Sequence, residues 1–83
     1  MTVKPTIPET EDEAIKLGLK KLSESEYTAI RKKYHAKELL PTVKCSEKPV
    51  GTQCLVLKCL DGYITVVYCS KNRDCTDAYK IPC

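Results

Sequence analysis

The chain has 83 residues, 14 basic and 11 acidic side chains, a net charge of +3 and six cysteines. That length holds one domain rather than two, with a core too small to be stable without reinforcement. The weak positive balance gives no electrostatic footprint for nucleic acid, and no apolar run is long enough to insert stably in a membrane.

Residues 1–9 carry Pro5 and Pro8 and read as an extended, flexible lead. They contain no apolar signal-peptide core, so Met1 is expected to stand where a secretory signal has been removed.

Residues 10–40 form the expected amphipathic helical segment. Thr10 and Glu13 make a capping box, and Glu11, Asp12 and Glu13 fall in the first turn, where the helix dipole favours negative charge. Ile15, Leu19 and Leu22 follow the i, i+4, i+7 spacing of one helical face, and Gly18 weakens that helix by about 1 kcal/mol relative to alanine. Ser23 and Glu26 make a second capping box, with Ser25 an alternative cap. Tyr27, Ile30 and Tyr34 share the next face, and Arg31, Lys32, Lys33 and Lys37 suit a helix C-terminus before Pro41 ends the pattern. The spacing predicts two short helices, roughly 11–22 and 24–38, or one kinked helix. Helices this short need burial, so the face Ile15, Leu19, Leu22, Tyr27, Ile30, Tyr34 packs on the rest of the chain or on a partner.

Residues 41–83 form the expected disulfide-stapled β module. Leu55–Leu60 and Tyr63–Tyr68 flank Asp61-Gly62, which predicts a hairpin with a two-residue turn of positive φ. Continuing that pairing sets Leu60 opposite Tyr63, Cys59 opposite Ile64, Leu57 opposite Val66 and Cys54 opposite Cys69. Leu55, Leu57, Cys59, Ile64, Val66 and Tyr68 would then share one apolar face, the expected core. Cys45–Gln53 and Ser70–Cys83 are expected as loops or short edge strands. The architecture is therefore small, disulfide-rich α+β: a helix or helix pair followed by a stapled hairpin.

Cys45, Cys54, Cys59, Cys69, Cys75 and Cys83 read as three disulfides formed in an oxidising compartment, each adding about 2–4 kcal/mol. A Cys54–Cys69 bridge fits the predicted register, but six cysteines admit many pairings. The intervals between cysteines, of 8, 4, 9, 5 and 7 residues, do not repeat the paired spacing of structural zinc sites. The one histidine, His35, reads as a solvated helix residue. No metal, no cofactor and no catalytic residue is nominated, because no nucleophile–histidine arrangement is present. Asp61, Asp74 and Asp77 suit turns.

The candidate binding residues are Asp61 and Tyr63 at the hairpin tip, Lys71, Asn72 and Arg73 in the loop between Cys69 and Cys75, and Tyr79 near the C-terminus. Tyrosine is a frequent interface anchor, and a bridged loop is preorganised.

Val50-Gly-Thr-Gln-Cys54-Leu-Val-Leu-Lys-Cys59, the turn Asp61-Gly62 and Val66-Val-Tyr-Cys69, closed by Cys75 and Cys83, resemble the single-domain von Willebrand factor type C-like proteins of arthropods. The small cysteine-rich salivary proteins of ticks include such chains. Members commonly carry eight cysteines, and residues 1–44 lie outside the resemblance. The resemblance implies a secreted, monomeric inhibitor that binds a host extracellular defence protein, complement foremost. Two other readings remain open at this point. One is a cationic venom toxin or antimicrobial peptide using the Arg31–Lys33 run. The other is a protease inhibitor presenting Lys71 or Arg73.

Overall fold

In the computed structural model, which describes residues 7–34 and 44–83, both caps start helices. Thr10 accepts a hydrogen bond from the Glu13 N–H and opens α1, Glu11–Lys16. Ser23 opens α2, Glu24–Arg31, with both halves of its capping box made. The described residues thus hold two α-helices, both shorter than their spacing predicts. His35, Lys37, Pro41 and the expected end of the second helix lie outside the described residues.

The first helix stops early because of Gly18. Its φ of +74° is left-handed, the Leu19 N–H reaches the Ala14 carbonyl and the Gly18 N–H reaches that of Ile15. This pair of bonds closes a helix end around a glycine that alone adopts the conformation without strain. Gly18 is therefore a terminator and not a weak interior position. The expected stripe breaks accordingly. Ala14 is fully buried and Ile15 is exposed. Leu19 and Leu22 lie beyond the helix, on either side of a two-residue strand β1, Lys20–Lys21.

Three further strands follow a short 3-10 turn at Cys45–Glu47: β2, Gln53–Val56; β3, Tyr63–Cys69; and β4, Cys75–Pro82. They form one antiparallel sheet of order β1-β4-β3-β2. The tail expected as loops or short edge strands is instead an eight-residue strand in the sheet interior. Its side chains Ala78, Tyr79 and Ile81 gain burial there that no edge would provide.

The Asp61-Gly62 turn forms as its residues require, with φ values of 55° and 85° and reciprocal bonds between Leu60 and Tyr63. Beyond it the register departs from expectation. Leu57 bonds to Thr65, Val56 pairs with Val66 and Leu55 with Val67, a slip of one residue, and an irregularity at Cys54 adds another. A one-residue slip turns β2 over relative to β3. Leu55 and Leu57 consequently join Val67 and Cys69, while Val56 joins Ile64, Val66 and Tyr68.

The slip has a physical reason: both faces of the sheet are covered. Ala14, with Ile7 and Leu19, packs on the face bearing Val66, Tyr68, Tyr79 and Ile81. Leu22 and Tyr27, with Ile30 and Tyr34, pack on the face bearing Leu55, Leu57, Val67 and Ala78. The unslipped register would gather the large side chains of β2 on one face and leave α2 little to cover. Each leucine buried is worth about 1.5–3 kcal/mol, enough to outweigh a local irregularity.

The disulfides are Cys45–Cys69, Cys54–Cys75 and Cys59–Cys83, with Cα separations of 5.4, 5.9 and 6.2 Å. Cys54 and Cys69, which the predicted register set opposite each other as one possible pairing, are not bridged, because the irregularity at Cys54 removes that residue from its place opposite Cys69. Cys59, expected in the core, is exposed, drawn from its pairing with Ile64 to the chain's last residue, Cys83. At the other end of the described chain, residues 7–9 of the expected flexible lead are tied down. Pro8 is buried, its carbonyl accepts from the Tyr68 hydroxyl, and the Glu9 carbonyl accepts from the Gln53 N–H.

Two outcomes follow. Gly18→Ala, stabilising in a helix interior, will destabilise this protein by about 1 kcal/mol in urea unfolding, since alanine is strained at that φ. Limiting dithiothreitol followed by alkylation and mass mapping will label Cys59 and Cys83 first. Both are exposed, whereas Cys45, Cys54 and Cys69 are buried and shield the other two bridges.

Candidate functional site

Among the described residues, the start of β3 is the end of the sheet least covered by the helices. Tyr63 emerges from the type I′ turn 43% exposed, and Leu60 before the turn is 37% exposed. Three polar contacts hold this end. Lys33 of the α2 C-terminal turn meets Asp61 at 2.9 Å, the Tyr34 hydroxyl donates to the Lys58 carbonyl at 2.6 Å, and the Lys80 ammonium lies over the Tyr63 ring at 5.0 Å. The Lys33–Asp61 pair is exposed, and such pairs contribute at most about 1 kcal/mol. The Cys59–Cys83 bridge and a bond from the Cys83 N–H to the Gly62 carbonyl fix the turn more firmly.

Two depressions meet at Tyr63 and Lys80. One, of about 110 Å³, lies between α2 and the turn, among Ile30, Lys33, Tyr34 and Leu60. The other, of about 390 Å³, is walled by Leu17, Leu19, Lys20 and Pro82. Leu17 is 61% exposed, the most exposed large apolar side chain among the described residues. Exposed apolar side chains and lysines are thus interspersed around Tyr63.

Of the residues nominated from sequence, Asp61 and Tyr63 lie on this surface. Lys71, Asn72 and Arg73 do not. They sit in the β3–β4 turn, separated from Tyr63 by the length of β3, about 20 Å. The two groups cannot form one compact site. That turn is tight: the Arg73 N–H donates to the Ser70 carbonyl, the Ser70 N–H to the Asp74 carbonyl, and Arg73 has φ +62°.

Tyr79, expected as an exposed anchor, is buried. It stands edge-on to Tyr68, with ring centroids 5.7 Å apart, and donates to the Glu11 carboxylate at 3.0 Å. Its place inside the sheet follows from pairing with Val66 on one side and Lys21 on the other. Leu17, Leu60, Lys20, Lys80 and Pro82 escaped sequence reading. Leu17 alone carried a signal, as an apolar residue off the helical stripe.

The sulfurs of Cys45, Cys54 and Cys69 lie within 4.8 Å of one another, a spacing that thiolates would offer a metal. Here they belong to two adjacent disulfides, whose sulfurs lack the thiolate charge that binds zinc. The depression on the outer face of α2 is wide and shallow, with Glu24, Lys32 and Lys33 beside Ser25, Thr28 and Ala29.

Burial, and then the charges of Glu13 and Glu11, raise the Tyr68 hydroxyl from the ordinary 10 to about 12. Burial and the bond to Glu11 raise that of Tyr79, and burial raises that of Tyr27. Each group holds its proton longer folded than unfolded. For Tyr68 the contribution to stability is therefore complete below pH 10 and is lost as pH rises through 12, and the raised hydroxyls of Tyr79 and Tyr27 act in the same direction. Thermal melts will fall across that window, and a melting temperature that stays constant across it would contradict this.

Comparisons with protein-family models, with curated proteins and with solved structures gave no match.

Proposed function

We propose that this chain is a secreted binding protein that inhibits a host extracellular defence protein, complement foremost, by stoichiometric occupation rather than catalysis. The observation that carries the reading is the Tyr63 ring. It is half-exposed on a turn fixed by positive-φ residues and a disulfide, with Leu60, Leu17 and Pro82 exposed nearby. An aromatic side chain on a rigid support contributes large contact area with little entropy left to lose on binding. The three disulfides support secretion, since such bridges persist in oxidising compartments.

The other readings gain less. A protease receives its inhibitor as an extended strand, whereas Arg73 lies in a tight turn with left-handed backbone. In the basic run, Arg31 stacks on the Tyr27 ring at 5.6 Å and Lys33 pairs with Asp61, so two of its three cations serve the fold.

Purified complement components passed over the immobilised full chain, with serum haemolysis read in parallel, test the proposal. The expected result is retention of one component and loss of lysis. Tyr63→Ala should bind about 30-fold more weakly, as for a central aromatic anchor, with its melting temperature little changed. No retained component, or equal binding by Tyr63→Ala, overturns it.

A further inference from the structure

The proposal leaves the partner's chemistry open, and two lysines narrow it. Lys20 of β1 pairs directly with Lys80 of β4, so both side chains rise from the same face of the sheet. Like charges directly opposed across strands destabilise the pairing. Other lysines nearby are neutralised, Lys21 by Asp77 and Lys33 by Asp61. Lys20 and Lys80 make no ion pair among the described residues, and Lys80 rests on the Tyr63 ring instead. The carboxylate nearest in influence is Glu26. Its pKa is lowered first by the Ser23 backbone and hydroxyl, and after these by Lys20 and Lys80. It accepts from the Ser23 N–H at 3.3 Å, so it is committed to capping α2.

Both lysines line the depression walled by Leu17, Leu19, Tyr63 and Pro82. Apolar walls reduce solvent screening, so an anion placed there is held more strongly than on an open surface. A concave site of about 390 Å³ takes a protruding side chain and its neighbour. A lipid headgroup layer would need a flat or convex basic face. Strand addition at this edge is unfavourable as well, because β1 has only two residues and both are lysine.

We infer that this depression receives an acidic, apolar segment of the partner protein, its carboxylate between Lys20 and Lys80 and an adjacent apolar side chain against Leu17, Tyr63 and Pro82. The inference rests on reading this end of the molecule as the binding surface. The opposed lysines are then a site held in electrostatic readiness, and the partner's carboxylate relieves their repulsion.

A library of random peptides displayed on phage, selected on the immobilised full chain and eluted with high salt, tests it. Enriched sequences are expected to set Asp or Glu beside Leu, Ile, Phe or Trp. Synthetic copies should bind Lys20→Gln and Lys80→Gln about tenfold more weakly, and copies with the acid replaced by its amide should lose as much. Lys20→Gln should not melt below the wild type, because it removes a repulsion; Lys80→Gln also loses the contact with the Tyr63 ring, so its melting temperature is read alongside. Several results overturn the inference: no enrichment, enriched peptides without carboxylates, or unchanged binding by the lysine variants. Sedimentation with phosphatidylglycerol vesicles, abolished by Lys20→Gln, would overturn it in favour of lipid. If Tyr63→Ala weakens capture of a complement component while the lysine variants do not, the binding-surface reading stands and the acidic partner falls. If neither matters, both fall.

Discussion

Thr65, Val66, Val67, Tyr68 and Cys69 are consecutive and all buried, so β3 must be covered on both faces. A strand of this kind is ordinary in a large α/β protein, where helices are plentiful. In a short chain it dictates how everything else is used. The N-terminal half is divided, with α1 over one face and α2 over the other, and β1 carries the chain around the sheet edge between them. The sheet also incorporates β1, so residues from the helical half and from the cysteine-rich half share one sheet.

The two faces are held by different chemistry. Under α2 lie Cys45, Cys54 and Cys69, with Cys75 packed against them, so two covalent bridges reinforce a thin apolar layer. Under α1 there is no disulfide. Tyr68 and Tyr79 fill that layer, and their hydroxyls reach Pro8 and Glu11. Each such bond contributes only about 1 kcal/mol, but a buried hydroxyl without a partner would cost more. The same bonds fasten residues 7–11 to the sheet.

Among the described residues, the start of β3 is met only by the chain leaving α2, at Lys33 and Tyr34. There the third bridge, Cys59–Cys83, stands in for packing and holds the turn from outside. Apolar side chains at Leu17, Leu60 and Tyr63 therefore remain exposed on a rigid support. Rigidity and exposure at one place are the combination that binding by occupation requires, because little order has to be imposed when the partner arrives.

The sequence by itself determined the features set by neighbours along the chain. Thr10 and Ser23 announce helix starts because a cap is made within a single turn. Asp61-Gly62 announces its turn because only such residues tolerate two positive φ values in succession. The density of cysteines announces covalent stapling in a chain this small, and Tyr63 was legible as the exposed residue of the tip. Tertiary structure decided what depends on residues distant in sequence. Gly18 is destabilising inside a helix and necessary at its end, and where the helix ends was settled by packing Ala14 and Leu19 on the sheet. The β2 register follows the turn only if one face is buried. Covering both faces moved it by one residue, and with it the cysteine pairing and the role of Cys59. Tyr79 reads as exposed until β4 is placed between β1 and β3. The Lys20–Lys80 opposition is also invisible in the chain, because the two residues meet only through the β1–β4 pairing.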